Sequence, residues 1–204
     1  MKIIVIDYDA GNTANVLRAL SKIGMPAELS QDASKILTAD GLILPGVGAY
    51  PAAMAELHKR GLVSVIKEAV AQGTPLLGIC LGMQILFEKG YEVKETAGLG
   101  FIPGTVEYMD IDEKVPHMGW NQLHFAKKHP ILKYVQENDD VYFVHSYMAH
   151  CLDEQLIAYT DYGNNKVTAL VSNNNVIGCQ FHPEKSGTVG KQILLAFKEM
   201  IKCY

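Results

Sequence analysis

The chain has 204 residues, 49% of them hydrophobic and 20% charged, a size and balance that suit one α/β domain, residues 1–204, with a substantial core. The formal net charge of −4 argues against a nucleic-acid or anionic-membrane surface. No apolar run reaches the roughly 18–20 residues that span a bilayer. The opening Met1-Lys2-Ile3-Ile4-Val5-Ile6-Asp7 is too short in its apolar part for a secretory leader and reads as a first strand.

Lys2–Ile6 is followed by the turn Asp7–Asn12, and Asn12 or Thr13 is placed to cap a helix with Val16, Leu17, Leu20 and Ile23 on one face. Gly24 and Pro26 end that helix. Gly41–Leu44 is the next buried strand, closed by Pro45-Gly46-Val47-Gly48. A helical region from Pro51 to Gln72 is interrupted near Gly61, and Pro75–Ile79 is a further strand. Leu81–Glu88 reads as a helix. This alternation predicts a parallel sheet with helices on both faces and a site beyond the carboxyl ends of its strands. The second half predicts short strands at Gly104–Asp110, Gln122–Phe125, Val141–Ser146, Gln155–Thr160, Lys166–Val171 and Val176–Phe181. Turns fall at Gly163-Asn164-Asn165 and Asn173-Asn174-Asn175, and a helix from Thr188 to Lys202 closes the chain.

Cys80 stands where the strand Pro75–Ile79 meets the following helix, with Gly78 two residues before it and Gly82 two after. Glycines at those places allow a sharp turn that lifts a nucleophile above a sheet edge, and helix N–H groups then face the sulfur. The bland alternative for a free cysteine is a small buried hydrophobe. That reading suits Cys179, and neither Cys151 nor Cys203 has a signal of its own. The four cysteines form no Cys-x-x-Cys pair and no zinc spacing, so no metal is expected, and their scatter fits reduced thiols in the cytoplasm. A cysteine nucleophile needs a base and a group that orients it. His182 follows a strand and has Glu184 two residues on, across Pro183, whereas an ordinary surface turn is the alternative for that tripeptide alone. Attack on a carbonyl also needs N–H donors for the developing oxyanion. Leu81 N–H is one candidate, and Val47 or Gly48 N–H is the other. Gly46-Val47-Gly48 is too short for a dinucleotide-binding fingerprint, so no nucleotide cofactor is expected.

Pro45-Gly46-Val47-Gly48, Gly78-Ile79-Cys80-Leu81-Gly82-Met83-Gln84 and His182-Pro183-Glu184 resemble the three signatures of class I, triad-type glutamine amidotransferases. Pro116-His117-Met118-Gly119-Trp120-Asn121, Tyr142–Tyr147 and Phe181–Ser186 resemble, more narrowly, the glutaminase subunits of imidazole glycerol phosphate synthases. The resemblance implies a flavodoxin-like three-layer sandwich with a mostly parallel central mixed sheet. It implies that Cys80 attacks the side-chain amide of glutamine, that His182 moves protons, and that Glu184 orients His182. Gly46, Gln84, Ser146 and Tyr147 would hold the substrate. Ammonia would pass to a (β/α)8-barrel cyclase partner that makes imidazole glycerol phosphate and AICAR in histidine synthesis, with no cofactor in this chain. Asn12, Trp120, Asn121, Tyr142 and Lys185 would lie at the partner interface, Trp120 having a core position as its alternative. A related glutaminase serving another acceptor, or a subunit that only regulates a barrel, would carry parts of the same pattern. The glycine-flanked Val47 peptide could rest with its N–H turned away, so slow hydrolysis by the chain alone is expected.

Overall fold

The computed structural model describes residues 1–202, and the reading of Cys203 lies outside the described residues. The first half runs β1 (Ile3–Ile6), α1 (Thr13–Lys22), β2 (Ala27–Ser30), α2 (Ala33–Leu37), β3 (Gly41–Leu44), α3 (Tyr50–Lys59), α4 (Leu62–Ala71), β4 (Leu76–Ile79) and the one-turn α5 (Leu81–Gln84). Ten strands follow: β5 (Phe87–Gly90), β6 (Thr96–Ala97), β7 (Ile102–Tyr108), β8 (His117–Gln122), β9 (His124–Phe125), β10 (Asp140–His145), β11 (Tyr147–His150), β12 (Leu156–Tyr162), β13 (Asn165–Asn173) and β14 (Val176–Cys179). Helix α6 (Gly187–Ile201) comes last.

Eight strands form the central sheet in the order β2-β1-β3-β4-β14-β13-β12-β9. The first five are parallel and the rest antiparallel, which is the mixed, α/β-type sheet expected. Its inner strands are buried on both sides, so their residues divide by alternation. Ile3 and Val5 enter one core with Val16, Leu20, Ile193 and Phe197 of α1 and α6. Ile4 and Ile6 enter the other with Ile36, Met54, Leu57 and Ile66 of α2, α3 and α4. The period of two in β1 therefore feeds two helical layers. The ribbon β10-β8 and the four-stranded sheet β11-β7-β5-β6 are appended beyond the sheet. Phe143 of β10 joins the α1/α6 core, and Ile102 and Val106 of β7 join the other.

Several expectations need correcting. The helix after Cys80 stops at Gln84, and Phe87–Gly90 is a strand. Phe87 pairs with Ile102 and Gly90 with Val106, so sheet pairing overrides helix-compatible residues there. β2 and α2 escape sequence reading because β2 is a half-exposed edge of only four residues and α2 spans only five. In α2 the signal is the cap: Asp32 accepts from the N–H groups of Ser34 and Lys35. His117–Gln122 is a strand throughout, pairing antiparallel with β10, whereas the sequence reading began a strand only at Gln122. The first of the later strands lies at Ile102–Tyr108, two residues earlier than expected. The break near Gly61 is real, with Gly61 at φ 68° between α3 and α4.

Candidate active site

At the end of β4, Cys80 takes φ 54° and ψ −113°, a conformation that costs a side-chain-bearing residue energy and is held only by its surroundings. What holds it is close packing on a floor of glycines. Gly78 and Gly178 are register partners on β4 and β14. A Cβ on Gly78 would lie 2.7 Å from Gly82 O, and one on Gly178 would lie 2.5 Å from Met83 Cγ. A Cβ on Gly82 would lie 1.8 Å from Leu44 O. α5 thus sits directly on the sheet, and Cys80 projects from its first turn. With four residues, α5 offers local N–H groups, Leu81 N–H among them, rather than the summed dipole of a long helix.

Cys80 is 7% exposed and lines a cavity of about 340 Å³. Val47, Gly48, Leu81, Gln84, Ser146, Tyr147 and His182, all expected at the site, line the same cavity. So does Lys185, expected at a partner face. Gly46 does not. It is buried behind the loop, where a Cβ would be 2.7 Å from the Tyr8 hydroxyl and 2.8 Å from Gly82 N, so its smallness serves packing. Glu92, Pro116, Val144 and His145 also line the cavity and were not anticipated. Glu92 lies after the unrecognised strand β5, and its carboxylate accepts the Tyr50 N–H at the start of α3 at 2.6 Å.

His182 leaves β14 and opens a 3₁₀ turn, Pro183–Lys185. Its Nδ1 lies 2.7 Å from Glu184 Oε1, with the two side chains 2% and 1% exposed. Asn12 Nδ2 donates to the same carboxylate oxygen, while Glu184 Oε2 is buried without a hydrogen-bond partner. Ser186 ties the turn down: its hydroxyl accepts from Tyr142 N–H at 2.9 Å and donates to His182 O at 2.7 Å. Burial works against a charged His182, but hydrogen bonds to Cys80 and to Glu184, with the negative charge of both, outweigh it and lift His182 to about 9. Burial, and then the charge on Cys80, push the Tyr8 phenol up. The Tyr8 hydroxyl donates to Pro45 O at 2.6 Å and so anchors the start of the glycine loop.

A second buried pair lies beside the cavity. His145 Nδ1 donates to Tyr147 O at 2.8 Å, its Nε2 meets His117 Nδ1 at 3.0 Å, and His117 Nε2 meets Asn121 Oδ1 at 2.8 Å. Burial dominates here and pulls His145 down to about 3 and His117 down as well. Asn12 and Asn121, expected as partner contacts, therefore each turn a hydrogen bond inward. Trp120 and Met118 face outward, 55% and 60% exposed, with Trp120 edge-on to Tyr142 at 5.9 Å. The core alternative for Trp120 does not hold. Lys185 Nζ lies over the same Tyr142 ring at 5.9 Å. Among the described residues no group of His, Cys, Asp or Glu is placed to hold a metal ion, and no helix is long and apolar enough to cross a membrane.

A cysteine on a glycine-floored elbow within reach of a carboxylate-bound imidazole defines a class, and the class-I glutamine amidotransferase model matches residues 4–203; the chain belongs to that family. Two solved structures share its fold, each aligned over 98% of both chains. They are a glutamine amidotransferase, at 19% identity and TM-score 0.77, and PurLQS from Thermotoga maritima, at 20% and 0.78. Nearer relatives are named imidazole glycerol phosphate synthase subunit HisH. That of Lactococcus lactis subsp. lactis (strain IL1403) is 56% identical over 200 residues, 98% of this chain and 99% of the other. That of Streptococcus mutans serotype c (strain ATCC 700610 / UA159) is 59% identical over 202 residues, 97% and 98%.

Proposed function

We propose that this chain is the glutaminase subunit of an imidazole glycerol phosphate synthase. The observation that carries the chemistry is the strained Cys80 on the wall of a cavity it shares with His182, whose far nitrogen is bonded to the buried Glu184. Cys80 Sγ attacks the side-chain carbonyl carbon of glutamine. The oxyanion is met by Leu81 N–H and by Val47 or Gly48 N–H. His182, charged at neutral pH, gives its proton to the departing nitrogen, so the C–N bond breaks to release ammonia and leave a γ-glutamyl thioester. The thioester sulfur carries no charge. The largest influence raising His182 is then gone while burial still lowers it, and the imidazole becomes a base. It takes a proton from water, which attacks the thioester; glutamate leaves and the thiolate returns. Glu184 orients the imidazole and Asn12 steadies Glu184. Glu92 is the carboxylate on the cavity wall suited to the substrate ammonium, with Gln84, Ser146 and Tyr147 around the amino-acid end.

The ammonia is handed to a (β/α)8-barrel cyclase that makes imidazole glycerol phosphate and AICAR in histidine synthesis, in the cytoplasm. The relatives' shared name supports that assignment. The exposed Trp120 and Met118, with Lys185 and Tyr142 beside the cavity, form the docking edge. Gly48 takes φ 105°, a conformation open to glycine, and a Val47–Gly48 peptide resting there with its N–H turned from the cavity makes the chain alone hydrolyse glutamine slowly until the partner docks. The test is Cys80→Ala in the assembled complex. Glutamine-driven cyclisation is lost, while cyclisation with added ammonium salts continues. Loss of both reactions, or retention of the first, defeats the assignment.

A further inference from the structure

Gln180 is a wholly buried amide just before the Phe181-His182 pair, and nothing in the chemistry above uses it. Its neighbours fix which way the amide faces. Tyr147 O is a backbone carbonyl and can only accept; it takes hydrogen bonds from His145 Nδ1 at 2.8 Å and from Gln84 Nε2 at 3.0 Å. The Gln84 atom that reaches Gln180 is therefore the same donor nitrogen, and at 3.0 Å it requires Gln180 to present its oxygen. That leaves Gln180 Nε2 on the other side, 3.7 Å from Cys80 Sγ and donating to it. Cys80 Sγ also approaches Val144 O at 3.9 Å, an acceptor that repels a negative sulfur.

We infer that Gln180 is a positioning residue for the nucleophile: its Nε2–H steadies the negative sulfur, and the Tyr147 carbonyl, acting through Gln84, sets its orientation. The inference rests on Cys80 being the nucleophile. In that arrangement the sulfur has an imidazolium on one side and a fixed neutral donor on another. A neutral amide serves well here because it donates a hydrogen bond without giving up its proton to the sulfur, and so is unchanged when the thioester forms.

Gln180→Glu separates the two ends of the amide. One carboxylate oxygen still accepts from Gln84, so the substrate side is preserved, while the other replaces the donor to sulfur with an acceptor. Gln180→Met removes both contacts at similar length and carries the same test on the sulfur side if the buried charge prevents folding. The assay is the rate of Cys80 alkylation by iodoacetamide in the full chain at neutral pH, located by peptide mapping. The concentration of glutamine that protects half the sites is read alongside. Gln180→Glu is expected to slow alkylation tenfold or more, with the protecting glutamine concentration within threefold of wild type; Gln180→Met is expected to slow it about tenfold, as the loss of one hydrogen bond to a charged group implies. Wild-type alkylation rates in both variants overturn the inference, as does lost glutamine protection with alkylation unchanged, which would assign Gln180 to the pocket through Gln84. Alkylation of wild-type Cys80 that leaves glutaminase activity intact would instead remove the nucleophile assignment itself.

Discussion

Replacing Glu184 by glutamine keeps the shape of the site and removes one charge. The amide oxygen can still accept from His182 Nδ1 and from Asn12 Nδ2, and the amide nitrogen falls where Oε2 now sits without a partner. What disappears is the difference between a charge-assisted and a neutral hydrogen bond, about 1–1.5 kcal/mol, together with the carboxylate's attraction for the imidazolium. At an effective dielectric near 20 that attraction has an upper bound of about 4 kcal/mol at 4 Å, of which a buried, partly relaxed site realises a fraction. A combined loss of about 1.4–2.8 kcal/mol moves the His182 titration midpoint, now at about 9, down by roughly 1–2 pH units. It also slows ammonia release by about 10–100-fold where proton donation limits the rate. The direction gives a sharper signature than the size. At pH 6 both proteins carry the proton and differ least; by pH 8.5 the variant has lost much of it and the wild type little. Carbon-13 labelling of the histidine ring gives the midpoint by NMR, and glutamine turnover by the assembled complex gives the rate. A Glu184→Gln midpoint that stays at the wild-type value while activity falls would show that Glu184 does not act through the charge of His182.

The same pair predicts how stability depends on pH. His182 is raised in the fold from 6.5 to about 9, so its contribution is complete below pH 6.5 and is lost as the pH rises through 9. The loss is on the order of 3 kcal/mol, and urea denaturation between pH 6 and pH 10 should show a slope that shrinks in His182→Gln. Gly82→Ala puts a methyl group 1.8 Å from Leu44 O, with backbone on both sides of the clash, and is expected to cost at least about 3 kcal/mol by the same measurement and to abolish turnover. Trp120→Ala, at 55% exposure, should change stability by less than about 1 kcal/mol. It should weaken cyclase binding by about 2 kcal/mol, roughly thirtyfold, in isothermal titration. A tight wild-type complex unaffected by Trp120→Ala would move the docking edge elsewhere.

The inner strands of the parallel half were legible because they are short apolar runs punctuated by Gly and Pro, whereas the half-exposed edge strand β2 was not. Ile3–Ile6, Gly41–Leu44 and Leu76–Ile79 are buried on both faces, so composition alone marks them. The appended strands were harder. Phe87–Gly90 follows a one-turn helix without a breaker, and its strand state comes from pairing with Ile102–Val106, some fifteen residues on. His117–Gln122 alternates buried and exposed residues, but its buried member is His117, which no hydrophobic scale marks as interior. Cys80, His182 and Glu184 could be picked out as candidates because glycine spacing and a two-residue His–Glu separation are local signals, and the structure puts Cys80 and His182 on one cavity wall with His182 bonded to Glu184. Glu92 and Gln180 were not. One lies in an irregular segment, and the contacts of the other form only once Gln84 and Tyr147, distant in sequence, are brought beside it.

Two hydrogen-bond chains lie around the sulfur, and both lead outward to an asparagine. One runs from His182, on the cavity wall with Cys80, through Glu184 to Asn12. The other runs through Gln180, Gln84, the Tyr147 carbonyl, His145 and His117 to Asn121, next to the exposed Trp120. Sequence resemblance marked both asparagines as contact positions, and the structure gives each a bond directed inward. A surface that draws either asparagine toward itself competes with that bond, so docking and the geometry of the sulfur share atoms. Such sharing is a route for coupling and not yet a coupling energy, which only paired substitutions on the complex can measure. The physical difference between the routes is charge. The Asn12 route passes through an imidazolium and a carboxylate, whereas on the Asn121 route burial works against charge on His145 and His117. On the proposed function, paired substitutions should therefore show Asn12 coupled to the pH dependence of His182, and Asn121 coupled to the alkylation rate of Cys80.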